Sequence, residues 1–238
     1  MGKTRIYIKA TDIASTLTID DEDTIHKLRN VLRLKKDKLI YVFDGCGKEY
    51  VYSIQESTKN SILLIKEKLA VNSSIPENKI TLAFPLEKEE RVDFILQKAT
   101  ELGVWNFIPF TCERSIPVKP SAHKINRWCR IVIEAARQSQ RLWIPEIQHA
   151  RNLKDIFSLN FDLKLVGSFN GNALSKNLVK GIKDVLIAIG PVGDFSDSEY
   201  NQFKTKGFKS IKLSQNLLRT ETAAVFFVGM LNHYLNES

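Results

Sequence analysis

The sequence contains few of the residues that build disulfide frameworks or metal sites. Only three of its 238 residues are cysteines, and four are histidines. Cys46, Cys112 and Cys129 are far apart, and no two of them have CxxC spacing. Isolated thiols in odd number disfavour both a disulfide framework and a zinc site. We therefore expect no bound metal, and a location in a reducing compartment, the cytoplasm.

Long hydrophobic runs are also missing. No stretch approaches the roughly 20 consecutive apolar residues that a membrane-spanning helix needs. The segment from Met1 to Arg5 lacks the apolar core of a signal peptide. Hydrophobic residues make up 43% of the chain and charged residues 26%, which is typical of a globular protein. We therefore expect one or two globular domains without membrane association.

Acidic residues are outnumbered by basic ones. The chain has 35 Lys and Arg against 27 Asp and Glu, which gives a net charge of +8 at pH 7. A basic surface favours polyanionic partners, above all nucleic acid, because Lys and Arg release the counterions condensed on phosphates. Mild basicity also occurs in proteins without such a partner, so charge alone leaves both interpretations open.

The first seventy residues have the pattern of β-structure. Short β-branched or aromatic runs recur there, and they predict strands at Tyr7–Ile8, Lys38–Phe43, Glu49–Ile54 and Ser61–Ile65. Residues 44–47, Asp-Gly-Cys-Gly, predict a hairpin turn rather than a phosphate-binding loop, because no helix follows. A short helix is predicted at Asp23–Val31. The pattern indicates a small barrel or sandwich over residues 1–72.

A different pattern begins after the polar segment that contains Pro76, and it predicts a second domain over residues 76–238. A strand at Ile80–Phe84, an amphipathic helix at Lys88–Leu102 ending at Gly103, and a strand at Val104–Phe110 form a βαβ unit, hence a parallel sheet. A further helix is predicted at Lys124–Gln140, and further strands are predicted at Asp162–Val166, Asp184–Ile189 and Phe208–Leu213. A final apolar helix is predicted at Thr220–Leu235. The fold class is therefore α/β.

Two strand-to-helix turns near the C-terminus are candidates for a ligand site. One follows the strand that ends at Ile189, and the other follows the strand that ends at Leu213. In an open α/β sheet, ligands bind beyond the carboxyl ends of strands, where backbone N–H groups converge. The alternative is that both are ordinary turns over a core. That alternative does not explain why three polar residues, from Thr220 to Thr222, open an otherwise apolar helix.

Two basic segments are candidate RNA contacts. Six of the twelve residues from Lys27 to Lys38 are Lys or Arg, and the alternative is a solvated face. In the helix at Lys124–Gln140 and just beyond it, arginines fall on one face at helical spacing: Arg127, Arg130, Arg137 and Arg141. Such a stripe is suited to an RNA backbone, but it also fits an exposed face with local Glu–Arg pairs.

Five separated motifs resemble one family. Residues 190–196 read Gly-Pro-Val-Gly-Asp-Phe-Ser, and residues 213–223 read Leu-Ser-Gln-Asn-Leu-Leu-Arg-Thr-Glu-Thr-Ala. Together they resemble the ribosomal RNA uridine-N3 methyltransferases of the SPOUT superfamily. Residues 98–104, 134–141 and 26–33 match further segments of that family's pattern in the same order.

The resemblance implies an architecture and an activity. It implies an N-terminal PUA-like β-barrel that binds RNA, and a C-terminal α/β domain with a mostly parallel sheet and a trefoil knot. It also implies methylation of N3 of a uridine in small-subunit (16S) ribosomal RNA, S-adenosylmethionine as the methyl donor, and a homodimer as the active form.

The resemblance also assigns site residues. Arg219 is expected to hold the uracil oxygen as charge develops. Glu221 is expected to orient Arg219 or to accept a proton, with helix capping as an open alternative. The residues expected to bind the cofactor are Val166, Gly167, Ser168, Ile189, Gly190, Pro191, Val192, Gly193, Leu213, Ser214, Asn216, Leu217, Leu218, Thr222 and Ala223. The residues expected to contact RNA are Lys27, Arg29, Arg33, Arg114, Arg137 and Arg141.

The chain departs from the family pattern at four of these motif positions. Val192 and Asp194 replace a Glu and a Gly in the first turn, and Ser214 and Asn216 replace a Gly and an Arg in the second. These departures keep two alternatives open: a methyltransferase that acts on another RNA, such as transfer RNA, and a non-catalytic RNA-binding protein on the same scaffold.

Overall fold

The computed structural model describes residues 3–116 and 120–237. These residues form two compact units. The first contains the chain up to Ile75 together with Ala136–Ile144, and the second contains Pro76–Ala135 and the chain from Pro145 onward. The segment Ala136–Ile144 was expected in the second domain. That residues 1–72 and 76–238 are separate folding domains stays a prediction.

The first unit is built on a five-stranded sheet. Its elements are β1 (Arg5–Tyr7), β2 (Thr16–Ile19), α1 (Glu22–Ile25), β3 (Leu39–Phe43), β4 (Lys48–Ser57) and β5 (Ile62–Asn72). The strand order is β1-β3-β4-β5-β2, and only the β1–β3 pair is parallel. Strand β2 was not predicted, because it has only four residues. Its alternate residues Leu17 and Ile19 are buried against the core.

The predicted hairpin turn is confirmed. Strands β3 and β4 pair antiparallel from Phe43 and Glu49 outward. Asp44 Oδ1 accepts hydrogen bonds from the backbone N–H groups of Cys46 and Lys48, at 2.7 and 3.0 Å. Gly47 has a φ of +97°, which disfavours any residue with a side chain.

The predicted helix at Asp23–Val31 is present in a modified form. Helix α1 is capped by Asp21, whose Oδ1 accepts from the N–H of Thr24 at 2.8 Å. The chain then continues as a π-helical turn over His26–Val31. Leu28 anchors this turn in the core, whereas Val31 remains 63% exposed.

A buried ion pair lies in the first unit. Arg5 Nε donates to Glu49 Oε1 at 2.6 Å, and both side chains are at most 5% exposed. The same guanidinium lies 4.4 Å from the centroid of the Phe43 ring and donates to the carbonyl of Arg137 at 3.0 Å. It therefore joins β1, β4 and the segment Ala136–Ile144.

We expect Arg5→Met to destabilise the first unit by about 3–5 kcal/mol, because Glu49 would remain as a buried carboxylate without its main partner. Hydrogen exchange of the β3 and β4 amides measures this loss directly. The control is Lys98→Ala, which removes an ion pair with Glu101 that is about one-third exposed, and we expect a loss of less than about 1 kcal/mol. Equal effects of the two substitutions would contradict the prediction.

The second unit is an α/β domain. Its elements are β6 (Lys79–Pro85), α2 (Glu89–Glu101), β7 (Asn106–Thr111), α3 (Ala122–Gln138), β8 (Glu146–Ile147), β9 (Arg151–Asn152), α4 (Leu153–Phe157), β10 (Leu163–Ala173), α5 (Lys176–Val179), β11 (Asp184–Ala188), α6 (Asp197–Thr205), β12 (Lys209–Lys212) and α7 (Thr220–Asn236). The strand order is β12-β10-β11-β6-β7-β8, and all of these pairs are parallel. The predicted α/β fold with a parallel sheet is thus confirmed.

Helix α2 ends at Glu101, and the predicted glycine, Gly103, follows it with a φ of +99°. Together α2 and α7 pack side by side, and the buried residues of α7 include Ala224, Phe227, Val228 and Leu231. Among the described residues, no helix has both the length and the apolar content that crossing a membrane requires.

Two strands run well past their predicted ends. Strand β5 was expected to end at Ile65, but it continues to Asn72. Strand β10 was expected to end at Val166, but it continues to Ala173. Its pairing with β12 shifts between Gly167 and Asn172, both of which lie opposite Ile211. Gly171 allows this bulge, because a Cβ there would lie 2.6 Å from the Ile211 backbone. The segment 168–171 therefore forms a bulge in β10.

Candidate active site

A cavity of about 660 Å³ lies at the edge of the sheet where β11 and β12 end and β10 bulges. This volume lies within the range of small-molecule sites, about 300–1,000 Å³. Of the residues predicted to bind a cofactor or to act in catalysis, those on its wall are Gly167, Ser168, Ile189, Gly190, Pro191, Val192, Gly193, Leu213, Ser214, Asn216, Leu217, Leu218, Arg219 and Ala223.

Three predicted site residues are not on the wall. Val166 is fully buried in the core of the second unit, so its side chain supports the wall from behind. Thr222 is exposed on α7, and Glu221 lies in the first turn of that helix, where it faces Arg91. Five wall residues were not predicted: Arg91, Phe169, Asp194, Tyr200 and Thr220.

The ends of the three strands meet at Gly167. A Cβ on this glycine would lie 3.3 Å from Ile189 Cδ1 and 3.6 Å from Leu213 Cδ1. The residues that follow β11 and β12 therefore converge on the bulge of β10. Their apolar side chains form one side of the cavity, and Leu217 is 82% exposed beside it.

The Gly190 turn is tightly packed. A Cβ on Gly190 would lie 2.8 Å from Asp194 Oδ1 and 3.3 Å from Phe195 Cδ2. The backbone N–H of Val192 donates to Glu87 Oε1 at 2.8 Å, so this amide is held by the protein itself. Arg114, a predicted RNA contact, donates from Nη1 to the carbonyl of Gly193 and thus fastens the far side of the turn.

Arg91 connects the turn to helix α7. Its Nη1 lies 3.3 Å from Glu87 Oε2, and its Nε lies 3.7 Å from Glu221 Oε2. Glu221 was expected to orient Arg219, to accept a proton or to cap the helix. In the structure it is the ion-pair partner of Arg91. No side chain caps α7, so the capping role is not seen. The spacing of four residues between Glu87 and Arg91 could have indicated an ion pair between them. Nothing in the sequence indicates that Arg91 contacts Glu221.

Arg219 occupies the N-cap position of α7 and is exposed on the cavity wall. The N-terminus of a helix carries a partial positive charge, and the Arg219 guanidinium adds a full one. This side of the cavity therefore stabilises a negative charge that develops on a bound group.

Tyr200 contacts Asp194, a residue of the Gly190 turn, through its hydroxyl group. The Tyr200 hydroxyl lies 2.8 Å from Asp194 Oδ1 and 3.1 Å from the carbonyl of Gly167. Burial raises the pKa of Tyr200 far above its ordinary value, and the neighbouring Asp194 raises it further. Tyr200 thus remains a neutral hydrogen-bond donor.

Nucleophilic catalysis by the nearby thiol is disfavoured. Cys112 lies close to the end of β7, and burial raises the pKa of its thiol to about 11. Because the thiolate is the reactive form, Cys112 is inert at neutral pH. Among residues 3–116 and 120–237, no cluster of His, Cys, Asp or Glu is arranged to hold a metal ion.

The predicted RNA contacts lie in different settings. Arg29 and Arg33 are exposed beside Val31 and Leu32, and Lys27 is half-buried. Arg29 also donates to the carbonyl of Thr58 at 3.1 Å. These residues and the π-helical turn form a basic surface on the first unit.

The predicted arginine stripe of α3 is not one uniform face. Arg127 is paired with Glu89 and Asp93 of α2, so its partners lie on another helix and not, as the local-pair interpretation expected, on its own face. Arg137 and Arg141 belong to the segment that the first unit includes. Burial lowers the pKa of Arg141 to about 10, so it still carries its charge at neutral pH.

Comparison with protein-family models shows the class of protein to which the chain belongs. Residues 74–232 match the model of an RNA methyltransferase domain, and residues 19–67 match that of an RNA methyltransferase PUA domain. The first match covers the whole sheet of the second unit and the candidate site. The N-terminal sheet is therefore a PUA-like domain, as predicted.

Similar proteins of known name identify the family within this class. The chain is 34% identical over 212 residues to the ribosomal RNA small subunit methyltransferase E of Mesomycoplasma hyopneumoniae, covering 86% of this chain and 89% of that protein. It is also 34% identical, with the same coverage, to the protein of that name from Aquifex aeolicus. The chain therefore belongs to the ribosomal RNA small subunit methyltransferase E family, and the predicted resemblance is confirmed.

Solved structures agree with this assignment. The ribosomal RNA small subunit methyltransferase E of Neisseria gonorrhoeae, bound to S-adenosyl methionine, has a TM-score of 0.86 at 27% identity, with 98% of each chain covered. A methyltransferase from Legionella pneumophila in complex with the bound cofactor SAM has a TM-score of 0.88 at 28% identity, also over 98% of each chain.

Proposed function

We propose that this protein methylates N3 of a uridine in small-subunit ribosomal RNA, with S-adenosylmethionine as the methyl donor. The observation that carries the proposal is one cavity that joins the Gly190 turn, the Leu213–Leu218 segment and Arg219. Family membership supports the reaction class, and the relatives bound to S-adenosylmethionine support the donor.

The cavity fits a nucleoside-like cofactor. Its apolar side, formed by Ile189, Leu213 and Leu218, is suited to an adenine ring, and its backbone polar groups are suited to orienting a ribose. The absence of a side chain on Gly190 lets Asp194 and Phe195 pack directly on the backbone of the turn, which keeps the turn compact beside the cavity. Thr222 lies outside this wall, so we propose no direct contact for it. When bound, S-adenosylmethionine supplies an electrophilic methyl group on a positively charged sulfur.

Uridine N3 carries a proton, so it becomes a nucleophile only when that proton leaves and negative charge spreads onto the uracil oxygens. We assign to Arg219 the stabilisation of this charge, because it lies on the cavity wall at the positive end of α7. Glu221 holds Arg91 against the cavity and therefore acts as a positioning residue rather than as a partner of Arg219. Alignment of the reacting atoms in such a cavity contributes up to about 7–11 kcal/mol to lowering the barrier.

RNA binding is assigned to basic side chains on both units. Lys27, Arg29 and Arg33 on the PUA-like domain are suited to phosphate contacts, and the net charge of +8 favours a polyanion. We include Arg114, Arg137 and Arg141 in this set. Arg114 is the member of this set that lies beside the cofactor turn.

A homodimer belongs to the same proposal. Phe94 on α2 and Phe226 on α7 are 43% and 47% exposed, and the two helices pack side by side. Large exposed aromatic residues on neighbouring helices are typical of a surface that a second subunit covers. The trefoil knot and a cytoplasmic location, which the family resemblance and the free thiols favour, complete the proposal.

Binding and transfer test the proposal separately. Calorimetry with S-adenosylmethionine is expected to show one site per chain, and tritiated methyl transfer is expected to small ribosomal subunits but not to bulk transfer RNA. Binding with transfer only to transfer RNA would mean a different RNA substrate. The absence of binding would favour a non-catalytic RNA-binding protein, in which Val192, Ser214 and Asn216 have abolished the cofactor site.

A further inference from the structure

Among the described residues, Asp194 is the one acidic residue on the cavity wall. The basic residues on the same wall are Arg91 and Arg219. Asp194 lies in the Gly190 turn, and its carboxylate packs directly on Gly190. The family resemblance assigned no role to this position. The geometry of this carboxylate indicates one.

The first oxygen of Asp194 is held by two donors. The backbone N–H of Phe195 donates to Oδ1 at 2.8 Å, and the Tyr200 hydroxyl approaches the same atom at 2.8 Å. The hydroxyl has a single proton, and the contact to the carboxylate is shorter than the contact of 3.1 Å to the Gly167 carbonyl. Because hydrogen bonds to ionised acceptors are the stronger ones, the proton points to Asp194.

The backbone of Asp194 is unusual as well. Its φ is +65°, a left-handed conformation that residues with a side chain rarely adopt. The turn thus places a carboxylate where glycine would be less strained. Strain of this kind persists where the surrounding structure fixes it, and it is concentrated at ligand sites.

The second oxygen of Asp194 is uncommitted. No described residue donates a hydrogen bond to Oδ2, and no described Lys or Arg lies within ion-pair distance of the carboxylate. With Oδ1 fixed by Phe195 and Tyr200, the carboxylate cannot rotate freely. Asp194 is a residue of the cavity wall, so Oδ2 is an acceptor without a protein donor at this place.

We propose that Asp194 Oδ2 accepts a hydrogen bond from the bound cofactor, and that Tyr200 is the residue that positions it. The donor is an N–H or O–H group, which S-adenosylmethionine offers as its α-ammonium and as its ribose hydroxyls. This inference rests on the function proposed above. It adds a negatively charged contact to a cavity whose other expected cofactor-binding residues are uncharged.

Calorimetry on purified full-length variants tests the inference without any need for turnover. We expect Asp194→Asn to weaken binding of S-adenosylmethionine and of S-adenosylhomocysteine by about tenfold or more, the size of a lost hydrogen bond to a charged group. Tyr200→Phe is expected to have a smaller effect in the same direction. Asp197→Asn, on the exposed first turn of α6, is the matched control and should bind as the wild type does.

A second variant separates binding from folding. Asp194→Gly removes the carboxylate and its contacts to Phe195 and Tyr200, but it also relieves the left-handed strain, so its melting temperature should stay close to that of the wild type. Loss of affinity in this variant therefore reports the carboxylate and not a misfolded turn.

A third ligand identifies the donor. 5′-Methylthioadenosine keeps the ribose hydroxyls but lacks the ammonium. If Asp194→Asn weakens its binding as well, the ribose is the donor. If only the two ligands that carry an α-ammonium bind more weakly, the ammonium is the donor. Unchanged affinity of Asp194→Asn and Asp194→Gly for all three ligands would overturn the inference. Failure of the wild type to bind S-adenosylmethionine would instead count against the proposed function.

Discussion

Replacing Arg219 with alanine is expected to lower the rate of methyl transfer by about a hundred- to a thousandfold, the usual effect of removing a donor that stabilises developing negative charge. The affinity for S-adenosylmethionine should change little. Arg219 lies at the N-cap of α7. The Gly190 turn is held by hydrogen bonds with three other side chains: Glu87, Arg114 and Tyr200. None of these bonds involves Arg219. The loss should therefore appear in kcat.

Two further variants make this result interpretable. Arg219→Lys keeps the charge but loses the planar fork of donors, so we expect partial activity. Lys204→Ala removes a cation from the exposed face of α6, away from the cavity lining, and should leave the rate unchanged. Transfer by Arg219→Ala at more than about a third of the wild-type rate would remove Arg219 from the mechanism.

Gly190→Ala is expected to have the second-largest effect, on cofactor binding. The added methyl group would lie 2.8 Å from Asp194 Oδ1 and 3.3 Å from the Phe195 ring, so the turn must shift. Phe195 is buried in the core of the second unit and cannot move away easily. We expect the turn to move toward the cavity and the affinity for S-adenosylmethionine to fall by about tenfold or more, equivalent to at least about 1.4 kcal/mol.

Gly229→Ala is the matched control for that substitution. Gly229 lies in the middle of α7, and a Cβ there would meet only the Leu102 side chain, at 3.6 Å, an ordinary contact. Alanine is the better helix former, so stability should rise slightly, and binding should not change. If Gly190→Ala bound S-adenosylmethionine as tightly as Gly229→Ala does, the close packing of the turn would have no role in the site.

The sequence was most informative where local chemistry decides the structure. The Asp44–Gly47 hairpin and the glycine that follows α2 are both present. Each depends on residues within a few positions of one another. The two C-terminal turns were recognisable for the same reason, and the parallel order of the strands brings them to one cavity.

The contacts that complete the site were not predictable in this way. Arg91 and Glu221 are 130 positions apart and meet because α2 and α7 pack together. The bulge of β10 depends on the close approach of Gly171 to Ile211, which no pattern of period two reveals. Asp194 was noted as a departure, but its contact with Tyr200 requires knowledge of how the first turn of α6 is oriented.

The most direct test of the account is nucleoside mass spectrometry of RNA treated with the purified protein. Small ribosomal subunits from a strain that lacks the modification would be incubated with the protein and S-adenosylmethionine, and the RNA would then be digested to nucleosides. The account predicts a new 3-methyluridine peak with the wild-type protein and none with Arg219→Ala. A methylated nucleoside other than 3-methyluridine, or no methylation although the cofactor binds, would contradict it.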